Sequence, residues 1–216
     1  MVESGIDIRL RRLHTALFSD VLDTMGCRAS SVGVGIRPLQ SDMKVAGPAF
    51  TMKCVPVDQV PDEPYVELLA AYASMQAGDV VVVETGDRVS AMWGELVSTA
   101  AMVKGAVGAV MDGMVRDVDQ ILEIGFPVFA IGYSPLDSAG RQEVVAHNTA
   151  IRCGDAEVRP GDWIFGDVMG VIVIPSELVE EVVDRAEAKD AGESTVRAEL
   201  LRGDEIGEVF RRHGIL

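Results

Sequence analysis

Three observations predict an α/β fold built as one layered domain. First, apolar runs at residues 80–83, 106–111 and 127–131 have the length and β-branched content of buried strands. Second, segments with helical patterning separate them, one opening at Gly94-Glu95-Leu96-Val97 and the other at Arg116-Asp117. The unit therefore reads β-α-β-α-β with parallel strands. Third, 216 residues that are 48% hydrophobic can bury a large core, and no Ser/Pro-rich linker or internal repeat divides them. We expect residues 1–216 to form a single domain with helical ends. In a parallel sheet the strand-to-helix turns gather at the carboxyl edge, so the two openings should lie side by side.

In chain order, residues 6–25 carry Leu10, Leu13, Leu17, Val21, Leu22 and Met25 at helical spacing, which predicts one amphipathic helix closed by Gly26. Val32-Gly33-Val34-Gly35 is not followed by a helix and so makes no dinucleotide fingerprint. Residues 45–57 read as a strand broken at Gly47-Pro48-Ala49, and 64–76 as a helix with Pro64 at its start. Ala77-Gly78-Asp79 then turns into the strand at Val80. Beyond Ala130, strands are expected at 142–151, 156–158 and 163–165, joined by polar turns such as Arg159-Pro160-Gly161-Asp162. Val171-Ile172-Val173-Ile174 suits a strand buried on both faces. Ser176 should cap a helix carrying Val179, Val182, Val183 and Ala186 on one face, with two further helical pieces at 193–201 and 205–212.

Composition removes several functional classes. No apolar run approaches the ~18 residues of a membrane span, and Met1-Val2-Glu3-Ser4 lacks a leader pattern. Cys27, Cys54 and Cys153 form no C-x-x-C, which argues against a disulfide framework and for a reduced, cytoplasmic setting. A net charge of −15 argues against nucleic acid as a partner and acts chiefly on solubility. His14, His147 and His213 are too scattered for a three-histidine zinc site. Lys104 falls at the far end of its helix from the openings, so a Schiff-base lysine is poorly placed. No G-x-S-x-G elbow is present.

What remains is the stretch Asp112-Gly113-Met114-Val115-Arg116-Asp117 beside the Gly94–Val97 helix start. Free N–H groups at a helix start suit a carboxylate. A guanidinium and a carboxylate beside them make a pocket for an anion and a divalent cation. A plainer reading is available for each residue. Asp117 can be a simple N-cap, Arg116 a surface ion-pair partner, Glu95 a first-turn acid favoured by the helix dipole, and Gly113 a turn glycine. The two readings differ in what the Asp117 side chain touches.

Gly113-Met114-Val115-Arg116-Asp117, Gly94-Glu95-Leu96-Val97 upstream and Pro127-Val128-Phe129-Ala130 downstream resemble the RraA-like family. So do Ser19-Asp20-Val21-Leu22-Asp23, Gly47-Pro48-Ala49 and Pro160-Gly161-Asp162…Gly166-Asp167…Gly170-Val171. That family includes the class II 4-hydroxy-4-methyl-2-oxoglutarate/4-carboxy-4-hydroxy-2-oxoadipate aldolases. The resemblance implies a swivelling β/β/α layered domain, assembled as trimers or dimers of trimers, with the C-terminal helices (about 176–216) at a subunit interface. It implies a metal-dependent lyase that cleaves 4-hydroxy-2-oxo diacids to pyruvate and a second keto acid and also decarboxylates oxaloacetate. Asp117 would bind Mg²⁺ or Mn²⁺ directly, Glu95 through a water, and Glu193 would join from the adjacent subunit. Arg116 and the backbone of Gly94, Glu95, Leu96 and Val97 would receive the 2-oxo acid. Met169 departs from the pattern, standing where many relatives carry an acid. The same resemblance implies two alternatives: a regulator that binds and inhibits an RNA-degrading endonuclease, or a lyase of this fold acting on another keto or sugar acid.

The chemistry agrees with that implication. Cleavage beside an α-keto acid produces a pyruvate enolate, whose developing charge a divalent Lewis acid stabilises. A hard cation that keeps several waters needs only one or two carboxylates. A fixed donor such as Arg116 adds a contribution of roughly 3–4 kcal/mol in comparable oxyanion sites.

Overall fold

The computed structural model describes residues 5–215; Met1-Val2-Glu3-Ser4, where the absence of a leader was read, lies outside them. The chain begins with α1 (Gly5–Arg11) and α2 (Thr15–Thr24), followed by β1 (Arg37–Pro38), β2 (Val45–Pro56) and α3 (Val66–Ser74). The central part alternates: β3 (Val80–Glu84), β4 (Ala91–Trp93), α4 (Glu95–Lys104), β5 (Gly108–Met111), β6 (Met114–Val115), α5 (Val118–Ile124), β7 (Val128–Ala130) and β8 (Gly132–Tyr133). Then come β9 (Gln142–His147), β10 (Ile151–Cys153), β11 (Ala156–Val158), β12 (Trp163–Asp167) and β13 (Gly170–Ile174). A 3-10 turn, Ser176–Leu178, runs into α6 (Val179–Leu201), and α7 (Ile206–His213) follows.

The main sheet has the order β1-β7-β5-β3-β2-β12-β13, with β9 also pairing β2. Its centre, β2, β3, β5 and β7, is parallel, as the alternation of apolar runs and helices predicts. The two ends of the sheet are brought together by the segment before β1. Val32 donates its N–H to the Val171 carbonyl and Val173 donates to that of Ser30, while β1 pairs with β7. The sheet thus curls almost into a barrel. Val80, Val82, Val110, Phe129, Ile164, Val171 and Val173 fill its inside. Val81, Val83 and Met111 point outward beneath α3, α4 and α5. Phe165, Ile172 and Ile174 lie under α1, α2 and α6. Successive strand residues go to opposite faces, and because both faces are covered the strands read as unbroken apolar runs. Cys54 and Cys153 are free thiols within these layers, and burial pushes Cys54 up to about 12.

Four local expectations are corrected. The helix over residues 6–25 is two helices, because His14 is extended (φ −137°, ψ 156°). The apolar spacing continues across the break, but tertiary groups satisfy the broken ends. Lys44 donates to the carbonyls of Arg11 and Leu13, and Asp167 accepts from the Thr15 N–H at 3.0 Å and the Thr15 hydroxyl at 2.8 Å. The strand over 142–151 is split at Asn148, whose φ is 50° and whose N–H turns to the Thr51 carbonyl. Residues 193–201 are not a separate helix but the end of α6. Ser176 makes no cap: Pro175 stands at the cap position, and the Ser176 hydroxyl donates to Glu177.

One feature of the fold leaves no periodic trace in the sequence. Beyond the carboxyl ends of β3, β5 and β7, the short strands β4, β6 and β8 pair in parallel as a second, three-stranded sheet. This small platform positions the candidate site.

Candidate active site

Each platform strand ends in a loop, and the three loops emerge side by side. β4 delivers Gly94-Glu95, β6 delivers Arg116-Asp117, and β8 delivers the segment from Ser134 to Asp137. Backbone bonds lock the exits together: Arg116 N–H to the Trp93 carbonyl and Ser134 N–H to the Val115 carbonyl, both at 3.0 Å. The base is anchored by Asp112, which is buried and accepts from the Thr85 N–H at 2.8 Å, the Thr85 hydroxyl at 3.0 Å and the Gly154 N–H at 3.4 Å. Asp112 opens the central sequence stretch, and its role is to hold the turn rather than to face the cleft.

Asp117 stands at the N-cap position of α5 in the left-handed region (φ 56°, ψ 39°), yet its side chain makes no cap hydrogen bond to its own helix. Instead Oδ2 accepts from the Glu95 N–H at 3.4 Å and lies 3.6 Å from Arg116 Nε. The plainer N-cap reading of Asp117 therefore fails. A positive φ on a non-glycine residue is a strained arrangement, and here it aims the carboxylate at the neighbouring exit. Gly94 permits this approach, since a Cβ there would fall 2.7 Å from Asp117 Oδ2 and 3.2 Å from Arg116 Cγ.

The start of α4 is built to stay rigid. Trp93 Nε1 donates to Ser98 Oγ, the Ser98 hydroxyl donates to the Gly94 carbonyl, and Tyr72 donates to the Val97 carbonyl. The first-turn amides of Leu96 and Val97 have no acceptor within the helix. Glu95 is half-buried, and its Oε1 accepts from the Thr99 hydroxyl at 2.7 Å, which leans the carboxylate along its own helix.

Arg116 lies between two carboxylates, Asp117 and, at 3.3 Å from Nη1, Asp137. Sequence reasoning missed Asp137. The available signal was that each parallel strand is followed by a short Gly-containing step and then an acid: Asp112-Gly113 leads to Asp117, and Ile131-Gly132 leads to Asp137. Burial alone would raise the Asp137 pKa, but the Ala139 amide and the Arg116 charge outweigh it and hold the carboxyl below the usual range.

Two clefts of about 380 and 370 Å³ meet at Arg116 and Asp117. The larger also takes in Gly94, Leu96, Val97 and Asp137, and the smaller takes in Tyr133 and Ser134. The structure thus brings together Gly94, Glu95, Leu96, Val97, Arg116 and Asp117. Glu193, expected from an adjacent subunit, is on α6 of its own chain paired with Lys189 at 3.4 Å, and Lys189 also reaches Asp20. No histidine lines either cleft among the described residues; His147 is bonded to Glu67 and His213 to Glu199.

For a divalent cation the donor set is sparse but coherent. No group of three or more His, Cys, Asp and Glu side chains that could hold a metal occurs among the described residues. The Asp117 carboxylate meets the Glu95 N–H and Arg116 through Oδ2, its side chain is 44% exposed, and the residue lines both clefts. One open carboxylate with a second acid on the next exit fits a hard ion that keeps most of its water, and does not fit a closed protein cage.

A model of the RraA-like family, described as Aldolase/RraA, matches residues 15–173. An uncharacterized protein of Methanocaldococcus jannaschii is 35% identical over 178 residues, covering 82% of this chain and 83% of its own. A protein of Halalkalibacterium halodurans, provisionally named a 4-hydroxy-4-methyl-2-oxoglutarate aldolase, is 33% identical over 194 residues, covering 88% and 87%. Among solved structures, Streptomyces coelicolor RraAS2, described as an unusual member of the RNase ES inhibitor RraA family, superposes with a TM-score of 0.80. It is 28% identical and covers 90% of this chain and 96% of its own.

Proposed function

The chain belongs to the RraA-like family, and from that premise we propose that it is a divalent-metal-dependent carbon–carbon lyase acting on 4-hydroxy-2-oxo acids. The single observation that carries the reading is the set of adjoining exits, on which Arg116 sits between Asp117 and Asp137 opposite the first turn of α4. The Leu96 and Val97 amides receive the substrate carboxylate, because they are unpaired donors at the positive end of a helix. Arg116 holds the 2-oxo oxygen. Loss of the C4 hydroxyl proton turns C4 into a carbonyl carbon, breaks the C3–C4 bond and sends its electron pair to the 2-oxo oxygen as an enolate. Arg116 faces that charge with a donor already fixed in place. Protonation of the enolate at C3 gives pyruvate, and the C4 fragment leaves as a second carbonyl compound. A bound Mg²⁺ or Mn²⁺, which Asp117 would hold with Glu95 beside it, supplies Lewis-acid polarisation of the keto oxygen. 4-Hydroxy-4-methyl-2-oxoglutarate is the substrate the family resemblance points to, and oxaloacetate reaches the same enolate by losing carbon dioxide.

Pyruvate is expected from both compounds with Mg²⁺ present, and EDTA should stop its release. Arg116→Ala should lower kcat by about 10²–10³, the scale of a lost oxyanion donor, and Asp117→Ala should abolish the response to added metal. Unchanged turnover in both variants overturns the mechanism. The reading also places the chain in a trimer or dimer of trimers, in which the Glu193 of an adjacent copy joins the site; light scattering of the purified protein measures this.

A second reading is a protein-binding regulator, favoured by the likeness to RraAS2 and by the net charge of −15. Capture of an RNA-degrading endonuclease by a protein that releases no pyruvate from either compound selects this reading instead.

A further inference from the structure

The two clefts are uneven in charge. Arg116 is the cationic side chain that lines them, and among the described residues no other does. Its guanidinium is already flanked by Asp117 and Asp137, and Glu95 stands on the next exit. Set against these three carboxylates, one guanidinium and one divalent ion bring the side-chain charge to neutrality. The amides of Leu96 and Val97 take one substrate carboxylate. Among the described residues of this chain, no further cationic side chain lines either cleft to receive another.

The larger cleft is also apolar beyond the reacting centre. Tyr65, Leu68, Leu69, Met92 and Leu96 line it there. An adjoining hollow bounded by Val60, Pro64 and Val144 shares Tyr65, Leu68, Met92 and Ser138 with it. Asp137 lines the larger cleft next to the shared Ser138 and is held there. Its backbone bridges to Ala91, its carbonyl accepts from Arg141 Nη1 at 2.8 Å, and Oδ1 accepts from the Ala139 N–H at 3.4 Å and the Ser138 hydroxyl at 3.5 Å. Arg141 is thus engaged with the backbone and lines neither cleft. A second carboxylate on C4 would meet either a fixed anion or an apolar wall, and both are unfavourable for a charge leaving water. An alkyl group would bury surface against the wall.

We propose that this site selects 4-hydroxy-2-oxo acids whose C4 substituents are uncharged and apolar, and that Asp137 is the residue that disfavours a second carboxylate. The proposal rests on the lyase reading and narrows the diacid that the family resemblance implies. Two substrates differing only in methyl for carboxylate test it: 4-hydroxy-4-methyl-2-oxopentanoate, cleaved to pyruvate and acetone, and 4-hydroxy-4-methyl-2-oxoglutarate, cleaved to two pyruvates. With Mg²⁺, the unsubstituted protein should show kcat/KM about tenfold higher for the pentanoate, the scale of one close like-charge contact in a half-exposed site. Asp137→Asn keeps the turn and an acceptor for Arg116, and should lower that ratio severalfold by improving the diacid. A purely structural role for Asp137 would depress both rates and leave the ratio intact. Preference for the diacid by the unsubstituted protein, or an unchanged ratio in Asp137→Asn, overturns the proposal. Pyruvate from neither compound removes the lyase reading itself and this inference with it, an outcome separate from a reversed ratio.

Discussion

Gly94 shows how much one hydrogen atom in place of a side chain can decide. Its φ of −160° is ordinary extended backbone, so alanine carries no torsional penalty there. The conflict is spatial: the new methyl would occupy the place of Asp117 Oδ2 and press on Arg116 Cγ. Gly94→Ala should therefore leave the melting temperature nearly unchanged while pyruvate release falls about 10²-fold, since an ångström of displacement at a reacting centre is worth that much. Steady-state kinetics beside a thermal scan would show the split; parallel loss of stability and activity would refute it. At this scale Arg116, Asp117 and the Gly94–Val97 turn were legible because each residue type has its own chemistry at that spacing. Asp137 was not, because it joins the site through a strand of two residues that carries no periodic signal.

The elements repeat that contrast. The long apolar runs reported β3, β5, β7 and β13 accurately, since burial on both faces leaves little freedom in residue choice. The platform strands β4, β6 and β8 have two or three residues each, too short for any period to register. Caps supplied from a distance are equally silent. α2 takes its cap from Asp167 at the end of β12, more than a hundred residues along the chain, while the adjacent His14 provides none. Asp167 is 4% exposed, and its carboxylate also accepts from the Met169 N–H at 2.8 Å. Asp167→Ala should cost about 1–3 kcal/mol in urea unfolding, because it strands buried donors rather than deleting a pair. A loss under ~0.5 kcal/mol, the range of an ordinary surface change, would show that water replaces the carboxylate without penalty.

For the molecule as a whole the dominant quantity is its net charge of −15. Self-repulsion at that level opposes compaction, and the ion pairs that offset it, such as Arg9 with Asp184 and Glu187, lie at the surface, where each contributes little. The melting temperature should therefore rise as sodium chloride is raised from ~0.01 to ~0.15 M, over which the screening length shrinks from about 30 to about 8 Å. A fall with salt would mean that the surface pairs outweigh the repulsion. The same molecule keeps its three cleft loops on separate stems, each entering from its own strand of the curled sheet. The third loop is nevertheless tied to the second, through the 3.3 Å contact of Asp137 with Arg116 and the bond from the Ser134 N–H to the Val115 carbonyl, so a substitution there is felt at the guanidinium as well. Exchanging that one short segment therefore shifts the shape and the charge of the cleft together, because the guanidinium at its centre is shared between neighbouring stems.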